Sequence, residues 1–248
     1  MNVKKGSAII LRKTIYSDAD LIFELFTKEE GKISVLAKGI RKQKAKNKGT
    51  MHLFSEIEYE IFSLPHSQNF WRIKNSSSLT RFSDESFQAQ VICSLLAEVS
   101  VQFLSDNHEH SDIYDLWQDF LIQKIFTHNS ALGFIIKFFS ELGFFPEFSH
   151  ASDCQTPFTK NNKIFWECDK GLFTSSQELT NYKTLSFSLI KVFNFCAKPH
   201  VNFSDIEKIS FSQLEKKELW NIIWWFYSSH TKFFPRSKKI FEEEYIAF

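Results

Sequence analysis

The chain has 248 residues, of which 43% are hydrophobic and 17% aromatic, including 29 Phe and 6 Trp. This supply of apolar side chains is enough for a buried core and argues against a disordered chain. The formal net charge is only +1, so attraction to an anionic partner must come from cations gathered on one face.

The first part of the chain is predicted to form five short strands, because apolar runs alternate there with polar or Gly-containing connections. The strands are expected at residues 7–13, 21–27, 33–38, 56–62 and 70–75. In the fourth strand, three glutamates alternate with Ile57, Tyr59 and Ile61, which is the period of two typical of a half-buried antiparallel strand. Five such strands fit a small barrel.

From Ser83 onward, apolar residues recur with the helical period of about 3.6 residues. A polar opening at Ser83 is expected to cap a first helix that runs to about Leu104, and residues 113–121 place five apolar side chains on one face of a second helix. A third helix is expected over residues 131–142, ending at Gly143 in the left-handed conformation. Helical spacing returns at residues 185–196 and 214–227, and these helices are expected to join the earlier ones in one bundle.

Residues 144–176 interrupt the helices and hold no helical period. Within them, residues 163–166 and 171–174 are expected to form a small hairpin. We interpret this stretch as a loop-rich insertion.

The most basic segment is residues 38–48, hereafter the basic loop. It contains six cations and no acid: Lys38, Arg41, Lys42, Lys44, Lys46 and Lys48. A flexible cluster of this kind releases counterions when it neutralises phosphates, so it binds DNA or RNA without reading sequence and more weakly as salt rises. Between the third and fourth strands of a barrel, it would border the groove that OB-folds use for single strands. The alternative is a solvated loop that is basic only for solubility.

Four aromatic residues close to the basic loop are candidates for base stacking: Tyr16, Phe54, Phe70 and Trp71. In so small a barrel most aromatic side chains belong to the core. We therefore expect fewer than half of them to contact a base.

Several segments, taken in order, resemble the RecO family of DNA-repair recombination mediators. They are residues 8–11 (Ala-Ile-Ile-Leu), 25–27 (Leu-Phe-Thr), 31–39 (Gly-Lys-Ile-Ser-Val-Leu-Ala-Lys-Gly) with the basic loop, 53–54 (Leu-Phe), 142–144 (Leu-Gly-Phe), 148–150 (Phe-Ser-His) and 234–239 (Phe-Pro-Arg-Ser-Lys-Lys). The most specific part is residues 25–48, and the resemblance spans nearly the whole chain.

The resemblance implies an α+β fold: an N-terminal OB-fold barrel, an α-helical bundle and a zinc-ribbon-like insertion. We expect the OB-fold domain at residues 1–80, the bundle at 81–143 and 177–248, and the insertion at 144–176. Members of the family bind single- and double-stranded DNA, anneal complementary strands, associate with RecR and with the C-terminal tail of single-stranded DNA-binding protein, and help to load RecA.

The sequence departs from the family pattern in the insertion. Many members carry two Cys-x-x-Cys pairs, whereas here Cys154 and Cys168 each lack a mate, so a four-cysteine zinc site is not available. His150 could join these two cysteines in a weak remnant site, but we expect no metal and no cofactor. The insertion is then expected to depend on its aromatic residues, Phe158, Phe165, Trp166 and Phe173.

A second departure lies in the third helix, where some relatives place an arginine before a phenylalanine and use it to bind the acidic protein tail. Here Gly133 precedes Phe134. A carboxylate-ended peptide with an aromatic terminus needs a cation beside an apolar pocket, so Lys124 or Lys137 is a candidate substitute.

A second basic patch follows the last predicted helix and could extend the DNA path. It consists of Lys232, Arg236, Lys238 and Lys239. The alternative is a frayed basic tail, because chain ends often disorder.

No common nucleotide-hydrolysis or hydrolase motif occurs, and the chain has only 7 Gly, so we expect a protein that is not an enzyme. The four scattered cysteines favour a reducing compartment, and charges interrupt the apolar runs, so we expect a cytoplasmic, nucleoid-associated protein without membrane insertion. The alternatives are a protein-interaction scaffold whose barrel has lost DNA binding, and a nuclease, which would need a metal-binding acidic cluster.

Overall fold

The computed structural model of the chain describes residues 2–63, 71–148, 150–152, 157–176 and 178–245. The chain forms two compact units, residues 1–126 and 127–248. The division into an OB-fold domain at 1–80, a helical bundle at 81–143 and 177–248, and an insertion at 144–176 stays a prediction.

The N-terminal unit is built around a closed barrel with the strand order β1-β2-β3-β5-β4. Its strands are β1 (Val3–Ile15), β2 (Leu21–Thr27), β3 (Gly31–Ala37), β4 (Glu56–Ser63) and β5 (Trp71–Thr80). Neighbouring strands pair antiparallel except β3 and β5, which pair in parallel. A five-stranded barrel of this kind is the OB-fold architecture, so the predicted α+β class with an N-terminal barrel is confirmed.

The alternation predicted for β4 decides which of its side chains enter the barrel. Ile57, Tyr59 and Ile61 are buried in the core, and Glu58 faces solvent. Glu56 also lies on the outward face, but it is buried. Its Oε1 accepts hydrogen bonds from the Tyr114 hydroxyl and the Gln118 side-chain amide at 2.9 and 3.0 Å. Burial and then the charge of Glu56 raise the pKa of Tyr114 well above its ordinary value, so this hydroxyl stays protonated and keeps donating.

Two helices complete the N-terminal unit, α1 (Phe87–Phe103) and α2 (Ser111–Gln123). The first begins after Ser86, whose side chain accepts from the Ala89 N–H and so satisfies one of the free donors at a helix start. On α2, Tyr114 packs its ring 5.7 Å from that of Phe26, on the outer surface of β2. The two predicted helices of this region are confirmed within a few residues.

The C-terminal unit combines helices with one small sheet. Its elements are α3 (His128–Glu141), β6 (Ile164–Glu167), β7 (Gly171–Phe173), β8 (Tyr182–Leu185), α4 (Phe187–Cys196), α5 (Phe203–Glu207), α6 (Gln213–His230) and α7 (Ser237–Tyr245). Gly143 follows α3 with a φ of +72°, as its position predicted. Strand β8 and helices α5 and α7 are absent from the sequence prediction, because they are short and their apolar pattern is weak.

Strands β6 and β7 of the insertion form a three-stranded sheet with β8, in the order β7-β6-β8. Strand β8 lies beyond the predicted end of the insertion at residue 176. The predicted hairpin is confirmed by the antiparallel pairing of β6 with β7. Trp166 of β6 is fully buried, and its ring lies 5.2 Å from that of Phe145 and 5.9 Å from that of Phe193. Trp166 therefore packs both within the insertion and against α4.

A metal site in the insertion has no support among the residues that the structure describes, where no group of three His, Cys, Asp or Glu side chains is placed to hold an ion. Cys154 of the suggested remnant site lies outside the described residues. Burial raises the pKa of the Cys168 thiol, which disfavours the thiolate that a metal would need. The zinc-ribbon likeness of this segment stays a prediction.

A buried histidine makes the stability of the C-terminal unit depend on pH. The Nε2 atom of His128 accepts a hydrogen bond from the indole N–H of Trp220, and its ring stacks on Phe241. Burial, followed by the charge of Lys216, lowers the pKa of His128 from 6.5 to about 4. Folding therefore favours the neutral ring, and the stability that this ring provides is lost as the pH falls below 6.5.

We expect the free energy of unfolding of this unit to decrease by about 2 kcal/mol between pH 7 and pH 5 through His128 alone. Most carboxylates remain ionised over this interval. Urea unfolding at several pH values measures the effect, and His128→Gln should remove it, whereas His200→Gln, at an exposed position, should not. An unchanged pH slope in His128→Gln would contradict the assignment.

Candidate nucleic-acid interface

The basic loop joins β3 to β4 and consists of consecutive turns. All six of its cationic side chains are exposed. None of the six forms an ion pair with another described residue. Their charge is therefore available to an anionic partner.

The first half of the basic loop is tied to the connection between β1 and β2. The Gly39 N–H donates to Asp20 Oδ1 at 2.6 Å, the Arg41 N–H donates to the Ala19 carbonyl at 3.0 Å, and Arg41 Nη1 donates to the Ser17 carbonyl at 3.2 Å. The bond from Gly39 is the main cause that lowers the pKa of Asp20, with smaller contributions from Ser17 and from nearby lysines. Asp20 thus stays ionised and holds the loop at neutral pH.

The second half of the basic loop and the residues after it are tied to β5. Ser76 donates its N–H to Asn47 Oδ1 at 3.2 Å, and its hydroxyl is hydrogen-bonded to that of Thr50. Ile40 and Met51 are buried in the barrel core and anchor the segment at both ends. The sequence suggested a flexible cluster, whereas these contacts give the loop a defined shape and place its cations before any ligand arrives.

The loop and β5 enclose a groove of about 500 Å³, hereafter the basic groove. Five lysines line it: Lys38, Lys42, Lys44, Lys46 and Lys74. Ala37 and Ile73 form part of its apolar wall, and no carboxylate is among the described lining residues. Lys74 was absent from the predicted site and joins it because β5 lies beside the basic loop.

The four aromatic candidates differ in exposure. Tyr16 is 60% exposed on the connection that holds Arg41, whereas Phe54 and Trp71 are 2% and 6% exposed. Phe54 and Trp71 were wrong candidates, because a ring enclosed by the protein cannot stack on a base. Phe70 lies outside the described residues, so Tyr16 is the stacking candidate that the structure supports.

The second basic patch is part of a folded segment, not a frayed tail. Lys238 is half-buried, with its Nζ 2.9 Å from Glu242 and 5.2 Å from the ring centre of Trp224. Lys239 lies 3.7 Å from Glu243, one turn further along α7. Arg236 and Lys232 are exposed. These acids offset part of the positive charge, and the DNA-binding role of Arg236, Lys238 and Lys239 stays a prediction.

The three candidate partner-binding residues are placed differently. Phe134 is fully buried, and Lys137 is 8% exposed, with its Nζ donating to the Lys198 carbonyl at 2.7 Å. A Cβ atom at Gly133 would lie 2.5 Å from Ile206 Cδ1, so a larger residue there requires the Ile206 side chain to move. Of the three, Lys124 alone is exposed.

Lys124 ends α2 with a left-handed backbone and lies at a cleft in the N-terminal unit. Phe82, Ile122 and Phe126 supply apolar surface to the cleft, and Arg81 provides a second cation. Glu56 and Asp84 also line it. Apolar surface beside two cations is the combination that an acidic peptide with an aromatic end requires.

Comparison with known proteins gives two family matches. The family model described as recombination protein O N terminal matches residues 1–82, and the model described as recombination protein O C terminal matches residues 85–239. Relatives named DNA repair protein RecO include those of Clostridium novyi, 25% identical over 97% of this chain and 94% of the relative, and of Thermoanaerobacter sp., 26% identical over 96% of both chains. The protein of the same name from Heliobacterium modesticaldum is 31% identical over 63% of this chain and 58% of its own.

Across the described residues, no helix combines the length and the apolar character that crossing a membrane requires.

Proposed function

Because the chain belongs to the RecO family of DNA repair proteins, we propose that it binds single- and double-stranded DNA as a recombination mediator and anneals complementary strands. The observation that carries this proposal is the basic groove, in which five lysines converge on one side of an OB-fold barrel. Ammonium groups neutralise phosphates and release condensed counterions, so affinity arises from the backbone and is independent of base sequence.

The lysines of the basic groove support annealing. Lysines that hold the backbone leave the base edges free to pair, and their charge reduces the repulsion between two strands. Tyr16, exposed on the connection that binds Arg41, can stack on an unpaired base from a single strand. None of these steps needs a catalytic residue.

In this proposal the partners are RecR, the C-terminal tail of single-stranded DNA-binding protein and, indirectly, RecA, which is loaded onto DNA coated with that protein. Because the proposed role requires access to chromosomal DNA, we expect the protein in the cytoplasm, associated with the nucleoid. The family relationship supports these partners.

The proposal is tested by measuring the binding of a labelled single strand at several salt concentrations, followed by annealing of complementary strands coated with single-stranded DNA-binding protein. We expect the affinity to fall steeply with salt and annealing to proceed. A scaffold whose barrel has lost DNA binding would not bind at any salt concentration. Strand cleavage in the presence of magnesium would instead support a nuclease.

For the acidic protein tail, we propose the cleft beside Lys124 as the binding site. A terminal aromatic ring would rest on the exposed Ile122 and the half-buried Phe82 at the mouth of the cleft, and its carboxylate would meet Lys124 or Arg81. This assignment replaces the buried Phe134 and Lys137 as contact residues.

We expect Lys124→Glu to weaken binding of a tail peptide roughly tenfold, because the substitution removes a charge-assisted contact and adds repulsion. Isothermal calorimetry with the peptide measures the change. Lys170→Glu, an equal charge reversal in the insertion, is the control and should leave the affinity unchanged. Equal affinities for the wild type and Lys124→Glu would place the tail elsewhere.

A further inference from the structure

One carboxylate lies within the cationic surface of the barrel. Glu60, on the outward face of β4, has its Oε1 atom 2.9 Å from Lys74 Nζ and 3.8 Å from Lys5 Nζ. Its side chain is 21% exposed. Lys74, then Lys5 and Lys46, lower the pKa of Glu60, so the group is ionised at neutral pH.

The cations around Glu60 come from three different elements. Lys5 is its cross-strand neighbour on β1, Lys74 belongs to β5, and Lys46 belongs to the basic loop. The bonds from Ser76 to Asn47 and Thr50 keep the loop against β5, which holds Lys46 on the same side as Lys74.

Glu60 also lies where two grooves meet. Lys46 and Lys74 line the basic groove. Lys5, Glu58 and Glu60 line a second groove of about 330 Å³, whose other walls include Asn75 and Ser77. A strand that leaves the basic groove across β5 and β4 therefore reaches Glu60 before it reaches Lys5.

A carboxylate oxygen between two ammonium groups makes the contacts that a phosphate oxygen makes. An ion pair at the protein surface contributes little to stability, whereas a phosphate that takes the place of the carboxylate also releases counterions from the DNA. A phosphate of a DNA backbone can thus replace the Glu60 carboxylate at the lysines.

We propose that Glu60 is an internal counter-ion, which occupies the place of a DNA phosphate between Lys5 and Lys74 in the free protein and is displaced when a strand binds. This inference rests on the proposed function and extends it, because it defines the path of the strand beyond the basic groove. Glu60 limits the affinity of the protein for DNA, so that a bound strand can still be released to a complementary one.

Glu58 provides a matched comparison. It lies two residues away on the same outward face, is exposed, and accepts a hydrogen bond from the Ser77 hydroxyl at 2.9 Å. Among the described residues, no lysine or arginine lies within ion-pair distance of it. Glu58→Gln changes the net charge as much as Glu60→Gln but releases no lysine.

The experiment measures the Kd of the full-length protein for a labelled single strand, across a salt series, for the wild type, Glu60→Gln and Glu58→Gln. We expect Glu60→Gln to bind roughly three- to tenfold more tightly, with a salt dependence steeper by about one phosphate contact. Glu58→Gln should stay within about twofold of the wild type.

A second pair of variants separates occupation of the lysines from a general charge effect. In a Lys74→Ala background, Glu60→Gln should tighten binding much less, because one of the lysines that it frees is gone. Equal tightening in both backgrounds, or by Glu58→Gln as much as by Glu60→Gln, would overturn the inference. If the wild type binds and Glu60→Gln does not change the Kd, the inference alone fails; if the wild type does not bind DNA, the proposed function fails with it.

Discussion

Replacement of Arg41, Lys42 and Lys44 by glutamate is expected to weaken single-strand binding by roughly 100-fold or more and to flatten its salt dependence. The three residues are exposed on the basic loop, and Lys42 and Lys44 line the basic groove. Each substitution removes one positive charge and adds one negative charge, so the groove would repel phosphates that it now attracts.

The fold should survive this change, because the basic loop is held by other atoms. Its anchors include the Asp20 carboxylate, the Asn47 side chain and the buried Ile40. Arg41 also contributes a side-chain bond to the Ser17 carbonyl, but its backbone bond to Ala19 does not depend on the side chain.

Fluorescence anisotropy across a salt series measures the loss of binding, and circular dichroism with urea unfolding checks the fold. Reversal of Lys160, Lys163 and Lys183, three exposed lysines of the C-terminal unit, is the matched control and should change the affinity much less. Wild-type affinity in the loop variant would defeat the DNA-binding role of the loop.

Substitution of Gly31 by alanine is expected to destabilise the N-terminal unit by about 2 to 4 kcal/mol. Gly31 closes the hairpin between β2 and β3. Its φ of +66° is a backbone conformation that is strained for a residue with a Cβ atom. The new Cβ would lie 1.8 Å from the carbonyl oxygen of His108. That oxygen belongs to the backbone of the segment between α1 and α2, so relief requires the segment to move.

The segment is not free to move without losing other contacts. Next to His108, the Asn107 N–H donates to the Lys32 carbonyl at 3.1 Å, and Asp106 lies 3.3 Å from Lys32 Nζ. A shift away from an alanine at position 31 would lengthen both interactions, which adds to the cost of the strained backbone.

Chemical denaturation followed by circular dichroism measures this effect. Gly49→Ala in the same unit is the control, because a Cβ atom there meets no atom within 4 Å and the position lies outside the barrel strands; it should change stability little. Equal stabilities of Gly31→Ala and Gly49→Ala would show that the hairpin and the segment between α1 and α2 are not packed as described.

Local pattern was enough to predict most regular elements. Strand β2 was predicted from an apolar run that ends at a short, Gly-containing connection. The inward and outward faces of β4 were predicted because its glutamates alternate with apolar residues, and a period of two reports which side chains enter a barrel. The helices with a strong apolar face, α1, α2, α3, α4 and α6, were predicted for the same reason with a period of about 3.6. Short elements such as α5 carry too few residues for a period to emerge, and their packing partners decide their form.

The site followed a similar division. The six cations of the basic loop were evident from their number and from the absence of acids, and so was their place between two strands. Lys74 was missed because a single lysine in a strand has no distinguishing pattern until the loop folds beside it. Phe134 and Lys137 were placed on a binding surface because a sequence does not show which face of α3 is covered, and the structure buries both.

The sequence by itself therefore indicated the family, through segments that resemble its members in order. Local spacing and composition determined the order of barrel and helices and the cluster of positive charge at residues 38–48. Tertiary structure alone decided that the basic loop is tied to its neighbours, that Glu56 is buried against α2, and that Glu60 pairs with lysines of two other strands. These features depend on distances between residues far apart in the chain, and such distances are set by how strands and helices pack, which no local pattern encodes.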